Sequence, residues 1–153
     1  MAIEDVLKQK KFSNEYVRLE TNLLYTAGWI ANHNKKFFES FDISMQQFNV
    51  LRILRGQYPH PVMLNVITER MIDRMSNATR LVEKLRIKEL VSRTQNAQNR
   101  RQVDILITDK GLELLKEIDA VLATLSEKYK GLTTQEATTL NSLLNKLRND
   151  DKE

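Results

Sequence analysis

The sequence predicts a mainly α fold with one small β-hairpin, and three observations support this prediction. The chain of 153 residues contains only four glycines and two prolines, so long helices are favoured over a turn-rich β fold. Apolar residues recur at helical spacing through most of the chain. The spacing changes to strict alternation only near residues 91–107, where we expect a hairpin. At this length we expect one domain, residues 1–153, with its own core.

The charge pattern narrows the class of partner. The formal net charge is +4, but residues 70–101 alone carry a net +6, so the remaining residues are slightly acidic. A basic block in such a chain indicates a polyanionic partner at one surface, although a generic solvated basic face would have the same composition. The chain has no cysteine, which excludes disulfides and thiolate metal sites.

No catalytic, metal or cofactor site is expected. The only two histidines, His33 and His60, lack an accompanying carboxylate cluster, and the chain has no Gly-rich phosphate loop. We therefore interpret both histidines as structural and do not expect an enzyme. The first residues lack the pattern of a signal peptide, and no run approaches the roughly 20 apolar residues of a membrane span. A cytoplasmic protein is the resulting expectation.

A long helix is predicted from about Ser13 to Phe41, after a polar lead-in over residues 1–13. Its apolar residues form two adjoining stripes. The first stripe consists of Tyr16, Leu19, Leu23, Ala27, Ile30, Phe37 and Phe41. The second consists of Val17, Leu24, Ala31 and Phe38. We infer that one stripe contacts the body of the protein and the other a partner helix, although a central helix buried within a monomer would also show two stripes.

The next helix is predicted from Met45 to about Leu54. Ser44 followed by Gln47 is a capping-box signature that begins it, and Gly56 suits the C′ position that ends it. Two prolines, at positions 59 and 61, then exclude a continuous helix. A short helix from about Leu64 to Met71 follows them.

Residues 73–91 predict an amphipathic helix with Asp73 as its N-cap. The apolar face consists of Met75, Ala78, Leu81, Val82 and Leu85. The opposite side carries Ser76, Arg80 and Lys84, with Asn77 and Thr79 at its margins. Such a helix suits the DNA major groove, where these side chains meet base edges and phosphates. An ordinary surface helix would show the same pattern, so the neighbouring segments are needed to distinguish a DNA-binding helix from a surface helix.

These segments indicate a winged helix-turn-helix over residues 44–108. The short helix and the basic helix are joined by a tight turn at Ile72 and Asp73. Two strands follow, the first with Val91, Arg93 and Thr94 and the second with Val103, Ile105 and Ile107. The polar loop between them is tipped by Arg100 and Arg101. Arginines at such a wing tip can enter the minor groove or hold phosphates.

Two helices are predicted after the wing. Thr108 or Asp109 caps the first, and Thr133 with Glu136 forms a capping box for the second. The apolar face of the first consists of Leu112, Leu115, Ile118, Val121, Leu122 and Leu125. The second has Leu140, Leu143, Leu144 and Leu147.

The chain resembles the MarR family of bacterial transcription regulators. Residues 64–71 followed by 75–85 are similar to the helix pair of this family. Residues 99–111, Asn-Arg-Arg-Gln-Val-Asp-Ile-Leu-Ile-Thr-Asp-Lys-Gly, are similar to its wing motif D-R-R-x-x-x-v-x-L-T-x-x-G. The Arg-Arg pair, the Thr and the Gly lie at matching spacing.

This resemblance implies a homodimer held together by the helices of residues 1–41 and 109–153. It also implies that two winged lobes contact successive major grooves of a palindromic operator, about 34–36 Å apart. Most members are repressors, and many are released by a small phenolic or lipophilic effector. An alternative is a winged helix that docks another protein and no longer reads DNA.

The resemblance also assigns candidate DNA contacts. We expect base and nearby phosphate contacts from Ser76, Asn77, Thr79 and Arg80. Arg100 and Arg101 are the expected wing contacts, although one of them can instead brace the wing. Further phosphate candidates, which would otherwise be solvated, are Asn65, Thr68, Arg70, Arg74, Lys84 and Lys88. Candidate effector-pocket residues, which would otherwise be ordinary core, are Tyr25, Trp29, His33, Phe41, Phe48 and Arg52.

The chain departs from the family pattern in two places. Asn96, Gln98 and Asn99 stand where many members have aspartates or an arginine, so we expect the usual acid–arginine brace to be missing and the wing to be more mobile. Glu89 stands where members often have glycine. A left-handed residue there would strain a glutamate, so we expect that the end of the preceding helix can differ.

Overall fold

The computed structural model describes residues 2–9, 11–96, 99, 102–125 and 131–148. The described helices are α1 (Ile3–Leu7), α2 (Glu15–Glu39), α3 (Met45–Arg55), α4 (Leu64–Arg70), α5 (Ala78–Ile87), α6 (Asp109–Leu125) and α7 (Thr134–Arg148). The described strands are β1 (Val62–Met63), β2 (Val91–Gln95) and β3 (Val103–Ile107). The predicted mainly α fold with a small hairpin wing is confirmed. None of the helices in these ranges is long and apolar enough to cross a membrane.

The chain divides into two compact units, one up to Leu114 and one from Leu115 onward. The first unit contains the helix-turn-helix and the wing. Its core is centred on α3, which contacts α2, α4, α5 and β3. Val50, Leu51 and Leu54 on α3 are almost completely buried, because they lie on the side of the helix that these four elements cover.

Local capping explains where α2 and α3 begin. The Asn14 side chain accepts hydrogen bonds from the backbone N–H groups of Tyr16 and Val17, which would otherwise lack partners in the first turn of α2. Ser44 and Gln47 form the predicted capping box, with distances of 2.8 and 3.1 Å between backbone nitrogen and side-chain oxygen. The predicted C′ role of Gly56 is wrong, because Gly56 is the C-cap of α3 and is right-handed, with φ of −65°.

The wing strands lie in a three-stranded antiparallel sheet of order β1-β3-β2. The predicted hairpin pairs β2 with β3, so that Val91 lies opposite Ile107 and Arg93 opposite Ile105. The strand β1, in which Val62 pairs with Ile105, was not predicted. A strand of two residues carries no alternation of its own, and its partner lies more than 40 positions away.

The beginning of α5 differs from the prediction. Asn77, not Asp73, is the N-cap, and its side-chain oxygen accepts from the Arg80 backbone N–H at 3.0 Å. Met75 therefore precedes the helix and is 93% exposed. The remaining members of the predicted apolar face are buried or half-buried, namely Ala78, Leu81, Val82 and Leu85. Asp73 and Asn77 are both good capping residues, and the helical spacing that included Met75 favoured the earlier one.

The end of α5 keeps the left-handed turn although a glutamate occupies it. Glu89 has a φ of 61°. The Leu90 N–H donates to the Leu85 carbonyl and the Glu89 N–H to the Arg86 carbonyl, which is the Schellman pattern of hydrogen bonds. The Glu89 carboxylate lies 3.0 Å from the Lys110 ammonium. Glu89 therefore adopts the strained left-handed conformation, and α5 ends in the same Schellman turn that a glycine at this position would form.

Thr108 joins this helix end to the beginning of α6. Its hydroxyl donates to the Glu89 carbonyl at 2.7 Å and accepts from the Gly111 N–H at 3.1 Å. Of the two predicted caps of α6, Thr108 is the one that bonds the first turn. A Cβ atom at Gly111 would lie 2.7 Å from Cγ1 of Ile107 and would also overlap the Leu90 carbonyl oxygen. The Thr and Gly of the wing motif thus have structural roles.

The second unit contains the rest of α6 and α7. Leu115 and Ile118 on α6 are fully buried. Thr133 and Glu136 form the predicted capping box before α7, because the Glu136 carboxylate accepts from the Thr133 N–H at 2.7 Å and the Thr133 hydroxyl accepts from the Glu136 N–H at 3.2 Å. No residue of α7 is buried: of its four leucines, Leu144 is half-buried and the other three are exposed.

Candidate nucleic-acid interface

Side-chain hydrogen bonds fix the turn between α4 and α5. The Asn49 side chain on α3 accepts from the Ile72 backbone N–H at 2.9 Å. The Asp73 carboxylate accepts from the Met75 N–H and from the Ser76 hydroxyl, both at 3.0 Å. The orientation of α5 relative to α4 is therefore set by polar bonds as well as by the core. Asn49 was missed by the sequence analysis, because its partner lies 23 positions away.

The first turn of α5 exposes three of the four predicted base-contacting residues. Asn77, Thr79 and Arg80 are exposed, whereas Ser76 is half-buried. The oxygen of the Asn77 amide is used as the helix cap, so its NH₂ group is the part left to meet another molecule. Ser76 donates its proton to Asp73 and keeps its oxygen as an acceptor.

Four cations around this turn lack any partner within the described part of the chain. They are Arg70, Arg74, Arg80 and Lys84, all exposed. Lys88 differs, because its ammonium lies 2.8 Å from the Asp42 carboxylate and also donates to the Asp42 carbonyl. Of the two predicted phosphate-binding lysines, Lys84 therefore has no partner among the described residues, whereas Lys88 is bonded to the turn after α2.

The remaining described cations of the basic block form a cluster on another side of α5. Arg86 donates twice to the Glu83 carboxylate, at 2.8 and 3.0 Å, and Arg93 lies 4.0 Å from it. The hydrogen bond from Arg86 is the main cause that lowers the pKa of Glu83 below its ordinary value, and the same bond raises the pKa of Arg86. Glu83 thus offsets one of these two charges, and the described cations of the basic block that have no acidic partner all lie between residues 70 and 84.

Asn65 and Thr68 lie on α4, and both are exposed. The Thr68 hydroxyl donates to the Leu64 carbonyl at 3.1 Å, which leaves its oxygen free to accept. Asn65 has no such bond to the described residues. Their predicted role as phosphate contacts remains a prediction.

The base of the wing has a brace that differs from an acid–arginine pair. The Asn96 amide donates to both oxygens of Asp104, at 2.9 and 3.2 Å, and its oxygen accepts from the Asn99 N–H at 2.9 Å. Asn96 therefore connects the start of the loop to β3. Gln98, Arg100 and Arg101 lie outside the described residues, so the expected wing-tip contacts and the expected mobility remain predictions.

The six predicted effector residues fall into two groups. Tyr25, Trp29 and His33 form an exposed row along α2, in which the Trp29 and His33 ring centroids are 4.4 Å apart. Phe48 is buried against Phe38, and Arg52 lies over the Phe48 ring at 5.8 Å. Phe41 belongs to this second group, because it is half-buried against Phe37, which in turn contacts Phe38.

A cavity of about 770 Å³ lies elsewhere, between the end of α2, the beginning of α3 and the end of α5. Its wall is amphipathic, with apolar Ile43 and Met45 beside the charged Lys35, Glu39 and Lys84. None of the six predicted residues lines it, so the cavity adds a second candidate place for a small molecule.

Comparison with known protein families identifies relatives of this chain. The model of the MarR family matches residues 43–103, which contain the helix-turn-helix and most of the wing. The transcriptional regulator MhqR of Bacillus subtilis is 29% identical over 114 residues, covering 69% of this chain and 77% of MhqR. The transcriptional repressor MdtR of the same organism is 33% identical over 70 residues, but the match covers only 46% of this chain and 45% of MdtR. These relatives are described as transcription regulators and not as enzymes, which agrees with the prediction from sequence.

Solved structures extend the likeness to most of the chain. A MarR transcription factor from Planctomyces limnophilus is 29% identical, with a TM-score of 0.69, and the match covers 90% of this chain and 98% of that protein. A mutant Escherichia coli MarR solved in complex with operator DNA has a TM-score of 0.76 at 22% identity, covering 91% and 99% of the two chains. The second match concerns the fold alone, because its identity is low.

Proposed function

Since this chain belongs to the MarR family of transcription regulators, we propose that it binds a palindromic DNA operator as a homodimer and represses transcription. The observation that carries the proposal is a group of four cations around the exposed polar end of α5, Arg70, Arg74, Arg80 and Lys84, which have no ion-pair partner in the part of the chain that the structure describes. Cations that are not engaged in an ion pair can neutralise phosphates, and each neutralised phosphate releases counterions and raises affinity. Asn77, Thr79 and Arg80 supply the donors and acceptors that can distinguish base edges.

Exposed apolar residues support the homodimer. Along α2, Tyr16 is 82% exposed and Leu24 68% exposed. On α7, Leu143 is 58% exposed, and Leu140 and Leu147 are nearly half exposed. Stripes of this kind on long helices usually mark a surface covered by another chain. A second copy is the proposed occupant, because an isologous interface lets one sequence cover its own stripes.

Footprinting of the protein on the DNA upstream of its own gene tests the proposal. We expect one or more protected palindromes with half-sites about one helical turn apart. Arg80→Ala should reduce the preference for this site over random DNA, whereas Arg101→Ala should weaken binding to both. Binding without any sequence preference at near-physiological salt would contradict the proposal. It would favour the alternative of a protein-docking module.

A small-molecule effector is a further part of the proposal. The cavity of about 770 Å³ falls within the range of roughly 300–1,000 Å³ that is usual for ligand pockets. Its mixed apolar and charged wall suits an amphipathic ligand such as a substituted phenol. A panel of such phenols should contain compounds that both raise the melting temperature and release the protein from its operator. Stabilisation without release would contradict an effector role, because release requires unequal affinity for the two states.

A further inference from the structure

Met75 is the most exposed large apolar side chain of the described residues. It is 93% exposed, and its neighbour in the same turn, Ile72, is 73% exposed. A single exposed apolar residue on a protein surface needs no explanation. Here, however, two of them lie in the short turn that enters the proposed recognition helix, directly before Ser76 and Asn77.

The turn that carries Met75 is held in place and cannot easily turn the side chain inward. The Met75 N–H is bonded to the Asp73 carboxylate, and the Ser76 N–H is bonded to the Asp73 carbonyl at 3.1 Å. The preceding residue, Ile72, is bonded through its N–H to Asn49 on α3. Polar bonds thus fix the backbone on both sides of Met75 while the thioether side chain lies in solvent.

The surroundings of Met75 indicate which molecule can cover it. Arg74 lies next to it in the chain, and Arg70, Arg80 and Lys84 lie on the adjoining helices without acidic partners among the described residues. A surface with this charge attracts a polyanion and repels a basic partner. On duplex DNA, the C5-methyl group of thymine is the apolar group that the major groove presents.

We propose that Met75 contacts thymine methyl groups in the major groove and thereby adds a preference for A·T pairs that polar residues of α5 do not supply. This inference rests on the proposed function, because it requires that the turn before α5 approaches base edges. A thioether side chain is flexible and polarizable, so it can pack on a methyl group without a fixed rotamer. The contact would be lost if the methyl group were absent, even when every hydrogen-bonding group of the base pair is kept.

Replacement of thymine by uracil provides the test, since it removes only this methyl group. Duplexes preferred by the full-length protein are first enriched from a random library. Each thymine of the preferred duplex is then replaced by deoxyuridine, and dissociation constants are measured by fluorescence anisotropy. For the wild type we expect at least one position at which uracil weakens binding about fourfold, the factor that corresponds to burial of one methyl group. Met75→Ala should bind the thymine and uracil duplexes equally, and Met75→Leu should keep most of the difference.

Ile87→Ala is the matched control, because Ile87 is 68% exposed but lies at the opposite end of α5. It should leave the ratio of uracil to thymine affinity unchanged. A wild-type ratio near one at every thymine, or the same ratio in Met75→Ala as in the wild type, would overturn the inference while leaving the proposed function intact. Failure to enrich any duplex would overturn the proposed function and the inference with it. Met75 is exposed, so we expect its variants to have the wild-type melting temperature.

Discussion

Glu89 occupies a backbone conformation that glycine adopts at lower energy. A left-handed conformation costs an L-amino acid about 1 kcal/mol or more. The exposed ion pair between Glu89 and Lys110 offsets little of this cost. We predict that Glu89→Gly raises the free energy of unfolding by about 0.5–1 kcal/mol, the strain relief being partly offset by the greater freedom of glycine in the unfolded chain. Urea unfolding at equal protein concentration measures this change.

Glu89→Ala separates strain from the ion pair. Alanine keeps the left-handed strain and removes the carboxylate, so its stability should lie within about 0.5 kcal/mol of the wild type. If Glu89→Gly were no more stable than Glu89→Ala, the backbone strain would not be the dominant effect at this position.

Gly111 lies where the chain has no room for a side chain. A Cβ atom would overlap the Leu90 carbonyl oxygen, which is itself bonded to the Thr108 N–H, and would crowd Ile107. We predict that Gly111→Ala lowers the free energy of unfolding by about 2–3 kcal/mol, as forced overpacking usually does. Differential scanning calorimetry should show a lower melting temperature.

Gly28 offers the opposite case for comparison. It lies within α2, and a Cβ atom there meets nothing within 4 Å. Gly28→Ala should therefore stabilise the helix by up to about 1 kcal/mol. Equal effects of the two substitutions would contradict the steric account of Gly111.

At the scale of elements, α5 carries lysines with different environments one turn apart. Lys84 has no partner among the described residues, whereas Lys88 is bonded to Asp42. We predict that Lys84→Ala lowers the salt dependence of DNA binding, with the slope of log K against log salt falling by about 1 for each subunit. Lys88→Ala should leave this slope unchanged. A smaller slope for the Lys88 variant would show that its ammonium leaves Asp42 to bind phosphate.

The cap of α7 makes a pH-dependent contribution. Hydrogen bonds from the Thr133 backbone, and then from its side chain, lower the pKa of Glu136 below its ordinary value of 4.5. A carboxylate whose pKa is lowered on folding stabilises the fold above pH 4.5, and this stabilisation is lost as the pH falls through the lowered value. Carbon-13 NMR titration should therefore give a pKa below 4.5. Thr133→Ala should raise it, and an unchanged value in that variant would argue against the capping bond as the cause.

Local sequence signals predicted elements well and nonlocal bonds poorly. The capping boxes at Ser44 and Thr133 act within four residues, and both appear as predicted. The N-cap of α5 was misplaced because Asp73 and Asn77 carry equivalent capping groups. In the structure Asp73 bonds Met75 and Ser76 in a turn, and the neighbouring Ile72 is held by Asn49 on α3, so the helix begins only after Asn77. The bond between Lys88 and Asp42 spans 46 positions, so no pattern in either segment indicates it.

At the scale of the whole molecule, we predict a dimer that depends on the apolar stripes of the long helices. Leu24→Glu on α2 and Leu143→Glu on α7 should each shift the protein toward monomer, because a buried unpaired carboxylate is costly in an apolar interface. Analytical ultracentrifugation over a range of concentrations measures the dissociation constant. We expect each substitution to weaken the dimer by at least tenfold.

Ile87→Glu provides the matched control for these variants. Ile87 is as exposed as Leu24 but lies on α5, outside both stripes, so its substitution should leave the dimer dissociation constant unchanged. Similar weakening by all three substitutions would indicate general destabilisation and would contradict the assignment of the interface to α2 and α7.

The bond between Lys88 and Asp42 also has a mechanical consequence. Asp42 lies in the turn after α2, and Lys88 is the C-cap of α5, so the bond ties together the ends of two helices. With 25 residues, α2 is about 37 Å long and forms a lever arm, in which a small rotation at one end becomes a larger displacement at the other. A tilt of α2 can therefore displace the end of α5 through this ion pair, in addition to any displacement that the packed core transmits.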